Sequence, residues 1–196
     1  MRQSESEYWD GQAKSRFIDG AISDNWLKRM AMMSFFSKHS WLKHSVLEIG
    51  TGVGVSAGML KIGCGGMWDY TGTDLSVEFC DAAYKAFRLK VVKGDVLSLP
   101  DGKFSRILAL DSLEHVRPED RSAGYDNIAE RLEKGGLMFI NIPLSESKHD
   151  GEFDHGFNLT DLHELEKRGL SLENYDTYVC HYAGSIRKYA MAVLTK

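Results

Sequence analysis

Cysteine is scarce in this sequence, and no apolar run is long enough to span a bilayer. The three cysteines, Cys64, Cys80 and Cys180, lie far apart and form no Cys-x-x-Cys pair. This usage is typical of reduced thiols and offers no metal site, so we expect a cytoplasmic protein that binds no metal. Residues 1–7 are polar and lack the apolar core of a secretion signal, and we expect no membrane association.

A strong excess of charge of either sign is also missing. The formal net charge is −4 over 196 residues, which argues against a general binder of nucleic acid or of anionic membranes. The length suits one domain. We expect residues 1–196 to form it, with residues 1–45 as an N-terminal helical cap and residues 46–196 as an α/β core, in a monomer or a homodimer.

Predicted strands and helices alternate along the core, which is typical of a doubly wound, Rossmann-like and mostly parallel sheet. The last two strands flank Ala183-Gly184 and read as a hairpin that places one antiparallel strand in the sheet. The predicted strands are residues 46–49, 67–74, 90–93, 104–110, 137–142, 171–182 and 186–194. The predicted helices begin at Val55, after Ser76, at Pro118 and at Thr160, and the third is expected to stop at Gly135-Gly136.

The first predicted strand runs into a glycine-rich loop, Glu-Ile-Gly-Thr-Gly-Val-Gly, over residues 48–54. Missing side chains let the backbone approach a ligand, and the following helix aims free N–H groups at the same space. The dinucleotide pattern Gly-x-Gly-x-x-Gly/Ala fails when counted from Gly50 but fits from Gly52, because Ala57 is small. Glu48 is an acid inside an apolar strand, and loop N–H groups or a ligand amine could satisfy it.

Polar residues with suitable chemistry fall at the ends of four predicted strands: Gly50, Asp74, Asp95 and Asp111. Ligands of open α/β sheets lie beyond the carboxyl ends of the strands, so these residues predict one pocket. Asp74 could accept hydrogen bonds from both hydroxyls of a ribose, or cap a helix beside Ser76. A ribose occurs in nicotinamide dinucleotides too, so Asp74 does not separate cofactors.

The order of these motifs resembles class I S-adenosylmethionine-dependent methyltransferases of the UbiE/UbiG-like small-molecule group. Beyond the glycine loop, the resemblance rests on residues 92–100 (Val-Lys-Gly-Asp-Val-Leu-Ser-Leu-Pro), on Leu-Glu-His-Val at 113–116, on residues 127–137 and on residues 155–162. It implies the class I methyltransferase fold and S-adenosylmethionine as cofactor. In particular, it implies that Asp95 accepts from the adenine amine, that the next backbone N–H, that of Val96, meets a ring nitrogen, and that Tyr8 folds over the cofactor. The apolar side chains of Val96 and Leu97 could pack on the base. The implied cofactor-binding set is Tyr8, Glu48, Gly50, Thr51, Gly52, Gly54, Asp74, Leu75, Asp95, Val96, Asp111 and Ser112.

Two histidines are the candidates for a catalytic base, because imidazole titrates near neutral pH. His115 follows the fourth strand, and His155 lies in a polar loop expected to cover the substrate. No Asp/Asn-Pro-Pro-Tyr/Phe motif follows the fourth strand, which leaves an oxygen or nitrogen of a small molecule as the expected methyl acceptor. Two alternatives remain: a non-catalytic cofactor-binding module, and a nicotinamide-dependent oxidoreductase, for which the usual Tyr-x-x-x-Lys is missing.

Overall fold

A computed structural model describes residues 4–19, 30, 32–35, 37–39, 41, 43–63, 69–144, 153–182 and 185–196. For residues 14–19, 180–182 and 185 it describes the backbone alone. The sequence also predicts a helix cap at Ser23 or Asp24, a helix face that includes Ile22 and Trp26, and a glycine stop at 64–66. These features, most of the polar loop and the hairpin turn lie outside the described residues.

The described elements follow the predicted alternation. The helices are α1 (Glu5–Asp19), α2 (Val55–Gly63), α3 (Val77–Phe87), α4 (Arg121–Arg131) and α5 (Leu159–Glu166). The strands are β1 (Ser45–Ile49), β2 (Asp69–Asp74), β3 (Val91–Lys93), β4 (Phe104–Leu110), β5 (Leu132–Pro143), β6 (Ser171–Tyr182) and β7 (Ser185–Thr195). Two short 3₁₀ turns, Leu113–His115 and Pro118–Asp120, join β4 to α4.

The strands form one seven-stranded sheet in the order β3-β2-β1-β4-β5-β7-β6. Strands β1 to β5 pair in parallel, whereas β7 runs antiparallel between β5 and β6. The fold class is therefore as predicted: an α/β doubly wound sheet whose last hairpin contributes one antiparallel strand. All parallel strands end at the same edge, which brings the residues that follow them together.

Each face of the sheet is covered by one hydrophobic cluster. Tyr125 and Ile128 of α4 and Leu162 and Leu165 of α5 pack on one face. Ala57 and Leu60 of α2, Ala83 of α3 and Trp41 pack on the other. The central strands read as nearly continuous apolar runs because they are buried on both faces.

Two local predictions are wrong. The spacing of apolar residues in α3 predicts one face with Val77, Cys80, Ala83, Tyr84 and Phe87. Ala83 is buried and Phe87 packs against the same cluster, but Val77 and Tyr84 are exposed, and Phe79 is buried instead. The third predicted helix does not continue to the glycine pair: it ends at Arg131, and β5 begins at Leu132. Gly135 has a left-handed φ of 77°, and its N–H bonds the Lys196 carbonyl. This segment therefore belongs to β5 and does not extend the helix.

Within the described part of the chain, no helix is long and apolar enough to cross a membrane. The same residues contain no group of three or more His, Cys, Asp or Glu side chains that could hold a metal ion.

Candidate active site

The loop after β1 is built on three left-handed glycines. Gly50, Gly52 and Gly54 have φ values of 72°, 57° and 78°, a region that costs other residues about 1–2 kcal/mol. The N–H groups of Gly50 and Thr51 both bond the Thr73 carbonyl at 2.9 Å, which ties the loop to β2. A Cβ at Gly52 would meet no atom within 4 Å, so the loop presents bare backbone to open space.

Asp74, at the end of β2, holds this loop to the start of α3. One carboxylate oxygen accepts from the Gly52 N–H at 2.8 Å, and the other accepts from the Ser76 N–H at 2.9 Å. The side chain is buried, and Ser76 is the N-cap of α3, as the sequence predicted. Each oxygen of a carboxylate has a second lone pair. The Asp74 carboxylate can therefore accept a ligand hydroxyl while it holds the loop.

Glu48 lies beneath the loop and is 2% exposed. The Tyr70 hydroxyl donates to its carboxylate at 2.5 Å and accepts from the Thr51 hydroxyl at 3.2 Å. Burial and the negative charge of Glu48 raise the pKa of Tyr70 well above its ordinary value, so this hydroxyl stays a donor. Tyr70, a residue without any local signal in the sequence, thus contacts Glu48 where a loop N–H group or a ligand amine was the predicted partner.

Asp95 follows β3 in a local turn. Its Oδ1 atom accepts from the Leu97 N–H at 2.9 Å and from the Ser98 hydroxyl at 2.8 Å. The two apolar side chains that follow Asp95 differ in exposure. Val96 is 4% exposed, and its side chain faces α4 at Gly124. The neighbouring Leu97, 40% exposed, is the apolar side chain left at this position.

Asp111 and Ser112 follow β4. Asp111 takes a left-handed φ of 54°, rare outside glycine, and accepts from the Asn141 side chain at 3.0 Å. Tyr178 of β6 donates to the same Asn141 at 2.8 Å, so one chain of hydrogen bonds links three strands. Ser112 lies against Gly50, where an added Cβ would come within 2.5 Å of its Cβ. The Ser112 hydroxyl is buried and finds no hydrogen-bond partner in the described part of the chain.

The two histidines differ in their surroundings. The Nδ1 atom of His115 lies 3.0 Å from the Phe153 carbonyl, which can only accept, so Nδ1 carries a proton and, in the neutral ring, Nε2 keeps a lone pair. Glu114, 2% exposed, approaches Nε2 to 3.9 Å. His155, by contrast, is exposed, and its backbone makes the contacts: its N–H bonds the Glu114 carbonyl at 2.9 Å, and its carbonyl accepts from Arg121 at 3.2 Å.

Helix α1 covers this edge of the sheet. The Ser6 hydroxyl donates to the Leu75 carbonyl at 3.2 Å, and Ser76 donates to Asp10 at 2.5 Å. The Tyr8 ring lies 5.0 Å from the Phe153 ring, and the Trp9 ring lies 4.7 Å from that of His115. These contacts bring α1 over both Asp74 and His115.

Sequence reasoning missed a buried clasp beside the site. Arg121 of α4 bonds both carboxylate oxygens of Asp161 at 3.1 and 3.2 Å, and Tyr125 donates to the same carboxylate at 2.8 Å. Arg121 also donates to the carbonyls of His155 and Gly156. The partners lie up to 40 residues apart, so no local sequence pattern predicts these contacts.

Residues 46–136 match the family model described as a methyltransferase domain. This part of the chain is a methyltransferase domain. It carries the glycine loop, Asp74, Asp95, Asp111 and His115, whereas Tyr8 and His155 lie outside the matched residues. No curated protein sequence matches the chain.

Solved structures resemble the whole fold around the methyltransferase domain. A TehB-like SAM-dependent methyltransferase from Corynebacterium glutamicum is 21% identical over 97% of each chain, with a TM-score of 0.67. The magnesium protoporphyrin IX methyltransferase of Synechocystis, solved with bound SAM, is 14% identical with a TM-score of 0.71 over 97% of this chain and 95% of its own. The [4+2]-cyclase SpnF reaches 0.73 at 13% identity, over 97% of this chain and 95% of its own. At such identities these likenesses establish the shared fold.

Proposed function

We propose that the protein transfers a methyl group from S-adenosylmethionine (SAM) to an oxygen or nitrogen of a small molecule. The observation that carries this proposal is the Asp74 carboxylate, which is fixed by the Gly52 and Ser76 N–H groups beside a bare glycine loop. The match of residues 46–136 to a methyltransferase domain supports it. Solved structures of the same fold with bound SAM support the choice of cofactor.

The residues at this edge fit the chemical groups of SAM. Asp74 offers carboxylate lone pairs to the two ribose hydroxyls, and Gly52 leaves room above the loop. The buried Ser112 hydroxyl has a hydrogen-bonding capacity that the described residues leave unused. Asp95 can accept from the adenine amine through the carboxylate oxygen that its turn does not use, with Leu97 rather than the Val96 side chain beside the ring.

SAM, when bound, supplies a methyl group on a sulfonium, which is an excellent leaving group. Protein residues then have to position the acceptor and exclude water. His115 is suited to take a proton from a hydroxyl acceptor at Nε2, because the Phe153 carbonyl holds Nδ1 in its protonated form. His155 is exposed and lacks such an orienting bond, so we place it at the entrance as a substrate contact.

Helix α1 and the segment that contains Phe153 would exclude water from the proposed site. The Tyr8, Trp9 and Phe153 rings meet above His115 and form an apolar cover. An aromatic face near a sulfonium also attracts it electrostatically, which suits Tyr8 for the predicted contact with the cofactor. The other predictions stay as stated: a small-molecule acceptor, no nucleic acid or membrane partner, a monomer or homodimer, and a cytoplasmic location.

Calorimetric titration with SAM, S-adenosylhomocysteine and NAD tests the cofactor and its site together. We expect both adenosyl compounds to bind. Asp74→Ala should weaken them about ten- to a hundredfold, because one hydrogen bond to a charged group contributes about 1.5–3 kcal/mol. Asp101→Ala is the matched control, since this exposed aspartate pairs with Arg131 away from the site.

Each contrary result has a definite meaning. Binding of NAD alone would replace the proposal with an oxidoreductase, and binding of none of the three would reject it. SAM binding that Asp74→Ala leaves intact would remove Asp74 from the site. Tight SAM binding without turnover on any oxygen or nitrogen acceptor would identify a non-catalytic binding module.

A further inference from the structure

A second cleft lies at the opposite edge of the sheet, where the parallel strands begin. It is a groove of about 880 Å³, distinct from the site at the carboxyl ends. Its charged and titratable lining consists of Lys43, His44, Asp69, Arg106, Glu133 and Lys134. A five-residue strand separates the two edges by roughly 15 Å, so a ligand here would not touch the proposed methyl-transfer site.

Arg106 on β4 is the unusual residue of this groove. It is only 8% exposed, although it sits in a strand that is otherwise largely apolar. One terminal nitrogen donates to the Ser105 carbonyl at 2.7 Å, and the other donates to Nε2 of His44 at 3.1 Å. Its Nε is buried and finds no acceptor among the described residues. A buried cation with neutral partners is costly, and the cost is relieved when an anion binds.

The neighbours of Arg106 leave this positive charge largely uncompensated at contact distance. No carboxylate of the described residues forms an ion pair with it, and Glu133 acts on it only at longer range. Lys43 and Lys134, both exposed, line the same groove and add two positive charges to that of Arg106. Asp69 and Glu133 contribute two negative charges. The groove is therefore net positive in a protein whose formal net charge is −4.

The protonation of His44 depends on the charges in the groove. A guanidinium nitrogen can only donate, so His44 accepts at Nε2 and carries its proton on Nδ1, which lies 3.0 Å from the Ser105 hydroxyl. Burial and the nearby Arg106 charge lower the pKa of His44, which keeps the ring neutral. An anion in the groove offsets the effect of the Arg106 charge and thereby favours the protonated ring.

We infer that this groove binds a dianionic oxyanion, namely a phosphate group, between Arg106 and the two lysines. A planar guanidinium and nearby ammonium groups match a tetrahedral oxyanion better than a point anion such as chloride. The phosphate group can come from free inorganic phosphate or from the phosphate monoester of a small metabolite. This inference does not depend on the proposed methyl transfer, since no residue is shared between the two edges.

Nuclear magnetic resonance of the histidine rings tests this inference directly on the intact chain. Titration with inorganic phosphate should move the His44 ring resonances along a saturable curve, while those of His115 and His155 stay in place. A small phosphate monoester such as glycerol 3-phosphate is the second arm. Tighter binding of the ester would identify a metabolite phosphate, and equal binding would identify free phosphate.

Sulfate keeps a constant charge near neutral pH, whereas phosphate titrates in this range. Any pH dependence of sulfate binding therefore comes from the protein. The charged groups around His44 are Arg106, Glu133, Lys134, Asp69 and Lys43. Anion binding that favours protonated His44 takes up a proton. Sulfate affinity should therefore rise as the pH falls, by at most about tenfold per pH unit for one linked proton.

Three variants locate the bound anion. Lys134→Gln should weaken phosphate binding by about two- to fivefold, the effect expected of one exposed charge. Arg106→Met should abolish the His44 response and, without anion, should melt no lower than the wild type, because it removes a buried charge without a carboxylate partner. Lys90→Gln is the control: it changes an exposed lysine just before β3 that does not line the groove.

Two results would overturn the inference. The first is the lack of any saturable change in the His44 ring up to tens of millimolar phosphate. The second is a change that is the same in wild type, Lys134→Gln and Lys90→Gln. Lys134 is exposed, so this comparison stands even where Arg106→Met fails to fold.

Discussion

The shape of the glycine loop depends on the left-handed backbone angles of single residues. Gly52 is the clearest case, because it combines a φ of 57° with open space where a Cβ would point. Two costs of a side chain can therefore be separated there. One is backbone strain, which any left-handed position would show, and the other is loss of the space that the proposed cofactor occupies.

Gly52→Ala and Gly169→Ala separate these costs. Gly169 follows α5 with a φ of 84° and equally open surroundings. Both variants should lose about 1–2 kcal/mol of unfolding free energy from strain. Only Gly52→Ala should also lose SAM affinity, about tenfold or more, because overfilling a packed contact costs about 1–3 kcal/mol. Denaturant unfolding and calorimetry measure the two effects, and equal SAM affinity in both variants would contradict the assignment.

Single residues were predictable from sequence where the signal is local. Asp74 could be placed because an acid ends a strand about twenty residues after the glycines, a spacing with a physical meaning. The bond between Glu48 and Tyr70 could not, because it depends on the register in which Glu48 pairs with Gly72 across two strands. The sequence also does not tell which of Val96 and Leu97 faces α4, because both are apolar and only the packed turn decides between them.

At the scale of elements, α4 and α5 are joined by a polar clasp rather than by apolar packing alone. Asp161 accepts from Arg121, from Tyr125 and from the Asn158 N–H, and it is also the third residue of the capping box of α5. Burial and this carboxylate raise the pKa of Tyr125, which keeps the phenol protonated as a donor. The clasp fixes the segment at 155–158 that leads from His155 into α5.

Asp161→Asn should therefore destabilise the protein by about 3–5 kcal/mol, since it leaves the largely buried Arg121 without its counter-charge. Glu164→Gln is the matched control, because Glu164 is a partly exposed carboxylate of the same helix and pairs with Lys167 and Arg168 just after the helix ends. That change should leave the denaturant midpoint close to the wild-type value. Equal midpoints for the two variants would show that the clasp contributes nothing special.

Elements were predicted well where their ends carry a chemical signal. Ser76 caps α3 and Asn158 caps α5, and both helices begin where expected. The buried face of α3 was misplaced because Phe79 and Val77 are both apolar, and only the position of the sheet decides between them. The end of α4 was misplaced because Gly135-Gly136 resembles a helix stop, whereas pairing with the C-terminal residues draws this segment into β5.

At the scale of the molecule, the proposed cofactor site is bounded by α1, the strand ends and the Phe153 segment together. A ligand that binds this folded arrangement and not the unfolded chain stabilises the whole protein. At a concentration one hundred times its dissociation constant, SAM should add about 2.7 kcal/mol, a rise in melting temperature of roughly 5–10 °C. Scanning calorimetry measures this rise, which should be small or missing in Gly52→Ala.

The sheet as a whole was predictable because strands and helices alternate and a hairpin ends the chain. The chemistry was not predictable from the sheet. A methyltransferase and a [4+2]-cyclase both share this architecture with TM-scores of 0.71 and 0.73. A proposed function therefore depends on particular side chains such as Asp74 and His115, and not on the fold.

The left-handed Asp111 carries a consequence for variant libraries. Glycine at this position would relieve the strain of a φ of 54° but remove the acceptor of the buried Asn141, so the two effects oppose each other. A screen that scores only expression or solubility would then treat aspartate and glycine at 111 as near equals. A screen that scores the proposed methyl transfer would favour aspartate over glycine. Position 111 therefore distinguishes selection for expression from selection for activity.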